Sequence, residues 1–122
     1  MARRSDVLRL KDIAAAADTV ASYLNGVSRE EFLAGGMVQD AVLRQLIVAG
    51  EAAFKVSGAF QEAHPEIPWV LIAGFRHRLV HDYVGIDVDT VWQVAHWELP
   101  ELAKGVVALL GRVESEGEGT KG

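Results

Sequence analysis

The sequence predicts an all-α fold, an up-and-down bundle of four main helices with short extra helical turns between them. Three observations carry that reading. Apolar residues recur at spacings of three and four along most of the chain, the signature of amphipathic helices. No stretch sustains the period-two alternation of a half-buried strand, although valine is plentiful. The three prolines, Pro65, Pro68 and Pro100, stand between helical patterns and not within them. At 122 residues the chain has room for one domain, expected over residues 1–113, followed by a short tail.

The first helix is marked by Val7, Leu10, Ile13, Ala14, Ala17, Val20, Ala21 and Leu24, and Asn25-Gly26 ends it because both residues tolerate a left-handed cap. Ser28-Arg29-Glu30-Glu31 reads as a capping box opening a short turn through Phe32 and Leu33. After Gly35-Gly36 a long pattern runs from Met37 to about His64, weakened at Gly50 and Gly58 by up to ~1 kcal/mol each relative to alanine. His64-Pro65-Glu66-Ile67-Pro68 is a rigid connector, with Pro68 placed at the first turn of the next helix, Trp69 to about Tyr83. Asp89 is expected to cap a short helix, Thr90–Trp97, and Pro100 to open the last one through Leu110. Residues 114–122 hold three glutamates and three glycines without a large apolar side chain, a composition that predicts disorder.

Composition narrows the function. Half the residues are hydrophobic and 24% are charged, enough for a packed core. Twelve Lys+Arg against 17 Asp+Glu give a formal charge of -5, which argues against a broad basic surface but permits a local basic patch. The absence of cysteine excludes disulfides, thiolate metal sites and cysteine nucleophiles. No apolar run approaches the ~20 residues of a membrane span. The N-terminal sequence has no signal-peptide hydrophobic stretch, and these features together predict a cytoplasmic domain that does not associate with membranes.

The chemistry concentrates in Phe75-Arg76-His77-Arg78-Leu79-Val80-His81-Asp82-Tyr83, which holds two of the four histidines. At about 100° per residue, Trp69, Ile72, Ala73, Leu79, Val80 and Val84 define an apolar arc, and Arg76 and Tyr83 fall inside it. A cation on a core-facing stripe is costly unless it is hydrogen-bonded or borders a wet cleft. Arg76 is therefore either paired internally, with Glu51 as the carboxylate at hand, or part of a site, and the two roles are compatible. His77 and His81 share the other face, but two ligands are too few for zinc and Arg78 beside them repels a cation, so no metal or cofactor is expected. Arg76 and His81 lie about 140° apart on an ideal helix. They meet only if the long arginine side chain wraps around or the helix loosens near Gly85, or if a second copy of the helix across a two-fold axis completes the constellation.

These residues carry a resemblance. Arg76-x4-His81-x-Tyr83 resembles the Arg-x4-His-x-Tyr signature of HepT-like toxins, within the HEPN superfamily of helical ribonucleases. Ala41–Leu46 with Gly50-Glu51-Ala52, the His64–Trp69 connector, Val91-Trp92 and Leu99-Pro100 are similar to other parts of that family, so the likeness covers roughly residues 5 to 112. His77 departs from it, standing where the family commonly has asparagine. The resemblance implies a HEPN-like bundle that acts as a homodimeric, metal-independent endoribonuclease on cellular tRNA or mRNA. It implies Arg76 and His81 as catalytic residues, with His77, Arg78 and Glu51 auxiliary. It also implies the toxin half of a toxin–antitoxin module, silenced when a nucleotidyltransferase antitoxin attaches AMP to Tyr83.

Elementary chemistry is consistent with those roles. Metal-free RNA cleavage needs a base for the 2′-hydroxyl proton and a cation for the developing phosphorane charge. An unperturbed histidine titrates near 6.5, and arginine holds a phosphate bidentately as lysine does not. The competing reading is a non-catalytic HEPN-type binding module partnering a nucleotidyltransferase, which the net acidity favours.

Overall fold

Burial follows the apolar stripes. In the computed structural model, which describes the backbone of residues 4–81 and 87–121 and the side chains of 4–75 and 87–115, α1 spans Arg4–Leu24 and buries Leu10, Ile13, Ala17, Val20 and Leu24. Gly26 follows with φ 77°, the left-handed conformation that its lack of a Cβ makes cheap. The expected capping box is present: Ser28 Oγ accepts from Glu31 N at 3.1 Å, and Glu31 Oε1 accepts from Ser28 N at 3.1 Å. It opens α2, Arg29–Leu33, whose Phe32 is fully buried. Gly35 and Gly36, both at φ 94°, turn the chain into α3, Met37–Phe54.

The long pattern expected from Met37 to His64 is two helices, not one. α3 ends at Phe54, and α4 begins afresh at Gly58–Ala63. The break is built by polar groups that periodicity does not register. Ser57 takes an extended conformation and its hydroxyl accepts from Phe60 N at 3.3 Å, capping α4. Asp6 of α1, only 2% exposed, accepts from Ser57 N at 2.8 Å and from Ser57 Oγ at 2.7 Å. A buried carboxylate is tolerated when its lone pairs are filled in this way. Gly58 is the first residue of α4 with open space around it, whereas Gly50 is buried within α3.

The connector ends in α5, Trp69–His81. Trp69 is anchored there by an indole N–H donated to His64 O at 2.9 Å and by an edge contact with the Phe60 ring. α6, Val88–Gln93, is capped two residues earlier than expected: Asp87, not Asp89, accepts from Asp89 N at 3.0 Å and from Thr90 Oγ1 at 3.2 Å. The chain then widens into a π-helical turn, Val94–Glu98, where the short helix was expected to run on to Trp97 and stop before Pro100. α7, Leu99–Lys121, carries Pro100 in its first turn. Helical backbone runs past 113, through the segment for which composition predicts disorder; once a helix is nucleated, each added residue gains a hydrogen bond for two fixed dihedrals.

α3 packs on both α1 and α5, and α1 packs in turn on α7, so the four long helices are neighbours in the order α5, α3, α1, α7. Leu10, Ile13, Phe32, Leu46, Ile72, Leu99 and Leu109 meet in the centre, each at most 1% exposed. Full burial of such side chains is worth roughly 1.5–3 kcal/mol apiece. The described residues hold helices and no strand, so the fold class is all-α. None of these helices is long and apolar enough to cross a membrane.

Candidate active site

α5 is built to hold its first half rigidly. Trp69, Ile72 and Phe75 are buried at 5, 0 and 4% exposure, while Val70 and Leu71 face outward at 87 and 44%. The buried stripe packs on α3, whose own stripe is Val42, Leu46, Ala49 and Ala53. Helix backbone continues unbroken through His81, so positions 76, 77, 78 and 81 keep the register set by the first two turns. At about 100° per residue, position 76 lies between those of Ile72 and Trp69, on the core-facing register. Position 81 lies about 20° from that of the exposed Val70. The 140° separation expected between Arg76 and His81 thus persists along the helix axis. The side chains of Arg76, His77, Arg78 and His81 lie outside the described residues, as does Tyr83 altogether.

Glu51, the auxiliary carboxylate, sits on α3 and is exposed. It closes one end of a shallow open groove of about 400 Å³ lined by Asp40, Leu43, Arg44, Ile47 and Val48. Arg44 and Glu51 are seven residues apart, two turns of helix, and therefore share a face. Arg44 was not singled out from the sequence, because an arginine on the polar side of an amphipathic helix carries no distinguishing signal. Among the described residues, no three His, Asp or Glu side chains come together as a metal-binding group.

At the base of α5, His64 Nδ1 stands 3.6 Å from Glu66 Oε2, and Arg112 Nη2 of α7 donates to the same oxygen at 3.0 Å. Glu66 is held below its ordinary 4.5, chiefly by its own backbone N–H; desolvation opposes this, and His64 and Arg112 add smaller lowering effects. This network ties the connector to α7 and so fixes where α5 starts.

The second feature missed in the sequence is a ladder of rings at the far end of the α2–α6 pair. Phe32 contacts Trp92 at 5.4 Å between centroids, the His96 ring stacks on Trp92 at 4.7 Å and 11°, and Trp97 meets His96 edge-on at 4.8 Å. Arg29 of α2 pairs with Asp89 of α6 beside it.

The described residues define the class: an all-α bundle, one of whose long helices carries Arg76, His77, Arg78 and His81 in its second half. A family model described as Ribonuclease HepT-like matches residues 13–109, most of the chain. The chain belongs to the HepT-like ribonuclease family, and its chemistry is of the RNA-cleaving kind. A protein of Methanocaldococcus jannaschii named as a candidate RNase is 34% identical over 97% of this chain and 98% of its own length. Another, from Thermococcus cleftensis and named as a candidate ribonuclease HepT, is 36% identical over 82% of this chain and 91% of its own. No solved structure matches the chain.

Proposed function

We propose that this protein is the toxin of a two-gene toxin–antitoxin module, a metal-independent endoribonuclease that cuts cellular tRNA or mRNA in the cytoplasm. Membership of the HepT-like ribonuclease family, together with the Arg76-x4-His81-x-Tyr83 segment on and just beyond α5, carries the reading. His81 takes the proton from a ribose 2′-hydroxyl as that oxygen attacks the adjacent phosphorus. The bond from phosphorus to the 5′-oxygen breaks, leaving a 2′,3′-cyclic phosphate, and His77 returns a proton to the departing 5′-oxygen. Arg76 binds the non-bridging oxygens and stabilises the charge that grows on them. Arg78 holds the neighbouring RNA backbone, and Glu51 orients the arginine.

Because positions 76 and 81 lie about 140° apart on one helix, each site is completed by a homodimer in which two α5 helices face one another. The nucleotidyltransferase antitoxin silences it by transferring AMP from ATP to Tyr83, with pyrophosphate leaving. The added anion sits among these groups, excludes RNA sterically and competes for Arg76.

His81→Ala and Arg76→Ala should each abolish RNA cleavage and growth inhibition while leaving the helical circular dichroism spectrum intact. Undiminished cleavage by folded His81→Ala refutes the assignment. Incubation with the nucleotidyltransferase and ATP should add the mass of AMP to the wild-type chain but not to Tyr83→Phe. The charge of -5 favours one other reading, a non-catalytic module that binds the nucleotidyltransferase. Absence of cleavage of any RNA by the wild-type dimer, with the complex intact, would select it.

A further inference from the structure

Trp97 is 64% exposed, yet it is not a loose surface indole. It ends a continuous ladder that starts in the core: Phe32, fully buried, touches Trp92, which is 9% exposed and carries the stacked His96 ring, which in turn meets Trp97. The outer end of the ladder sits on the π-helical turn. Its hydrogen bonds run from residue i to i+5, as from Leu99 N to Val94 O, so residue 97 comes round toward the side of residue 92. An ordinary α-turn would set residues 92 and 97 about 140° apart. π-turns inside helices are found frequently at functional sites.

The indole borders an open groove of about 290 Å³ that is also lined by an edge of the largely buried Trp92, by Gln93, and by the Arg29–Asp89 pair. The set combines a flat π-surface, an amide that both donates and accepts, and a guanidinium whose charge is balanced by a carboxylate. That chemistry suits a nucleobase better than a bare phosphate, because Asp89 offsets the attraction of Arg29 for anions. Asp87, which opens α6, is six residues from His81, a distance of chain that reaches at most about 20 Å. The start of α6, whose Asp89 lines the groove, therefore lies within that distance of the end of α5.

We propose that Trp97, braced by His96, is a stacking platform for an unpaired base of the RNA substrate, with Gln93 reading the base edge. The inference rests on the RNA-cleaving reading above, and it names single-stranded RNA as the form bound. Stacking on an aromatic ring is sequence-tolerant and needs no basic surface.

The test uses the full chain and a short 2′-O-methyl oligoribonucleotide of mixed sequence, which cannot be cleaved through a 2′-hydroxyl. Binding should quench indole emission, and Trp97→Ala should raise Kd roughly 5- to 100-fold, the usual effect of removing one stacking ring. Trp97→Phe should retain most of the affinity. Equal affinity of folded Trp97→Ala and wild-type protein overturns the proposal, and so does failure of the wild-type chain to bind the oligonucleotide. Unchanged RNA affinity with loss of dimer or of antitoxin binding in Trp97→Ala also overturns it, and marks a protein-docking surface instead. RNA cleavage is read separately. Trp97-dependent binding without cleavage refutes the nuclease reading and leaves the platform standing, whereas cleavage with Trp97-independent binding does the reverse.

Discussion

Replacing Asp6 should cost this fold more than any other single change at a polar position among its described residues. Its carboxylate is 2% exposed and accepts from both the N–H and the hydroxyl of Ser57, at 2.8 and 2.7 Å. Hydrogen bonds to a carboxylate contribute about 1.5–3 kcal/mol each, and an orphaned buried N–H costs a further ~1–3 kcal/mol. Ser57 is only half-buried, so water recovers part of that loss in the variant. The expected destabilisation for Asp6→Ala is about 2–4 kcal/mol. Asp6→Asn should cost about half as much, because an amide still offers one acceptor to the Ser57 N–H and a donor to its hydroxyl. Urea unfolding followed by circular dichroism measures the effect as a lowered midpoint at constant slope. A double-mutant cycle with Ser57→Ala should show a coupling of about 1 kcal/mol or more, since the two residues share both bonds. A cost below ~0.5 kcal/mol for Asp6→Ala, or strict additivity with Ser57→Ala, refutes the claim that this carboxylate holds the α3–α4 break in place.

Two further outcomes concern the connector and the last helix. The lowered native value of Glu66 means that its contribution is fully present above the ordinary 4.5 and is lost as pH falls through the native value. Glu66→Gln should therefore melt below wild type near neutral pH and converge on it in acid, which melting curves taken down through the carboxylate range will show. In α7, a Cβ at Gly111 meets nothing within 4 Å, whereas one at Gly105 comes to 3.3 Å of Ile67 Cδ1. Gly111→Ala should accordingly stabilise by about 0.5–1 kcal/mol from helix propensity alone. Gly105→Ala should gain less, since the buried Ile67 must shift; an equal gain in both, by chemical denaturation, refutes the packing argument.

The helices were legible because each buried stripe repeats at the helical period, and Leu10, Ile13, Val20, Leu46 and Ile72 fall where that period puts them. What escaped were features set by contacts distant in sequence. The end of α3 depends on Asp6, fifty-one residues before Ser57, and no local pattern near Ser57 announces a carboxylate arriving from α1. The cap of α6 moved from Asp89 to Asp87 because two aspartates stand two residues apart, and either satisfies the local rule. The π-turn is invisible to a 3.6-residue template, although the four-residue spacing of Trp92 and His96 foreshadows their stacking. For the site, residue types in order raise an expectation of phosphate chemistry on α5, at side chains outside the described residues. The angular separation of positions 76 and 81 was equally legible, and the unbroken helix through His81 keeps it.

An RNA-cleaving protein of net charge -5 sets a constraint on how RNA is held. Nucleic-acid affinity ordinarily comes from Lys and Arg that displace condensed counterions, and a broadly acidic surface opposes that contribution at long range. The constraint eases if charge is confined to the reacting phosphate while affinity elsewhere comes from contacts that involve no net charge. Arg76 and Arg78 lie on α5, where the proposed reading puts the scissile phosphate, and the ring ladder ending at Trp97 lies beside a neutralised Arg29–Asp89 pair. Acidity is then no obstacle: it discourages indiscriminate coating of RNA and leaves binding to a few short-range groups. Unpaired bases can stack on an indole only when they are out of a duplex. On the proposed reading, such a protein would select single-stranded segments by shape, and its few cations would decide which phosphate within such a segment is cut.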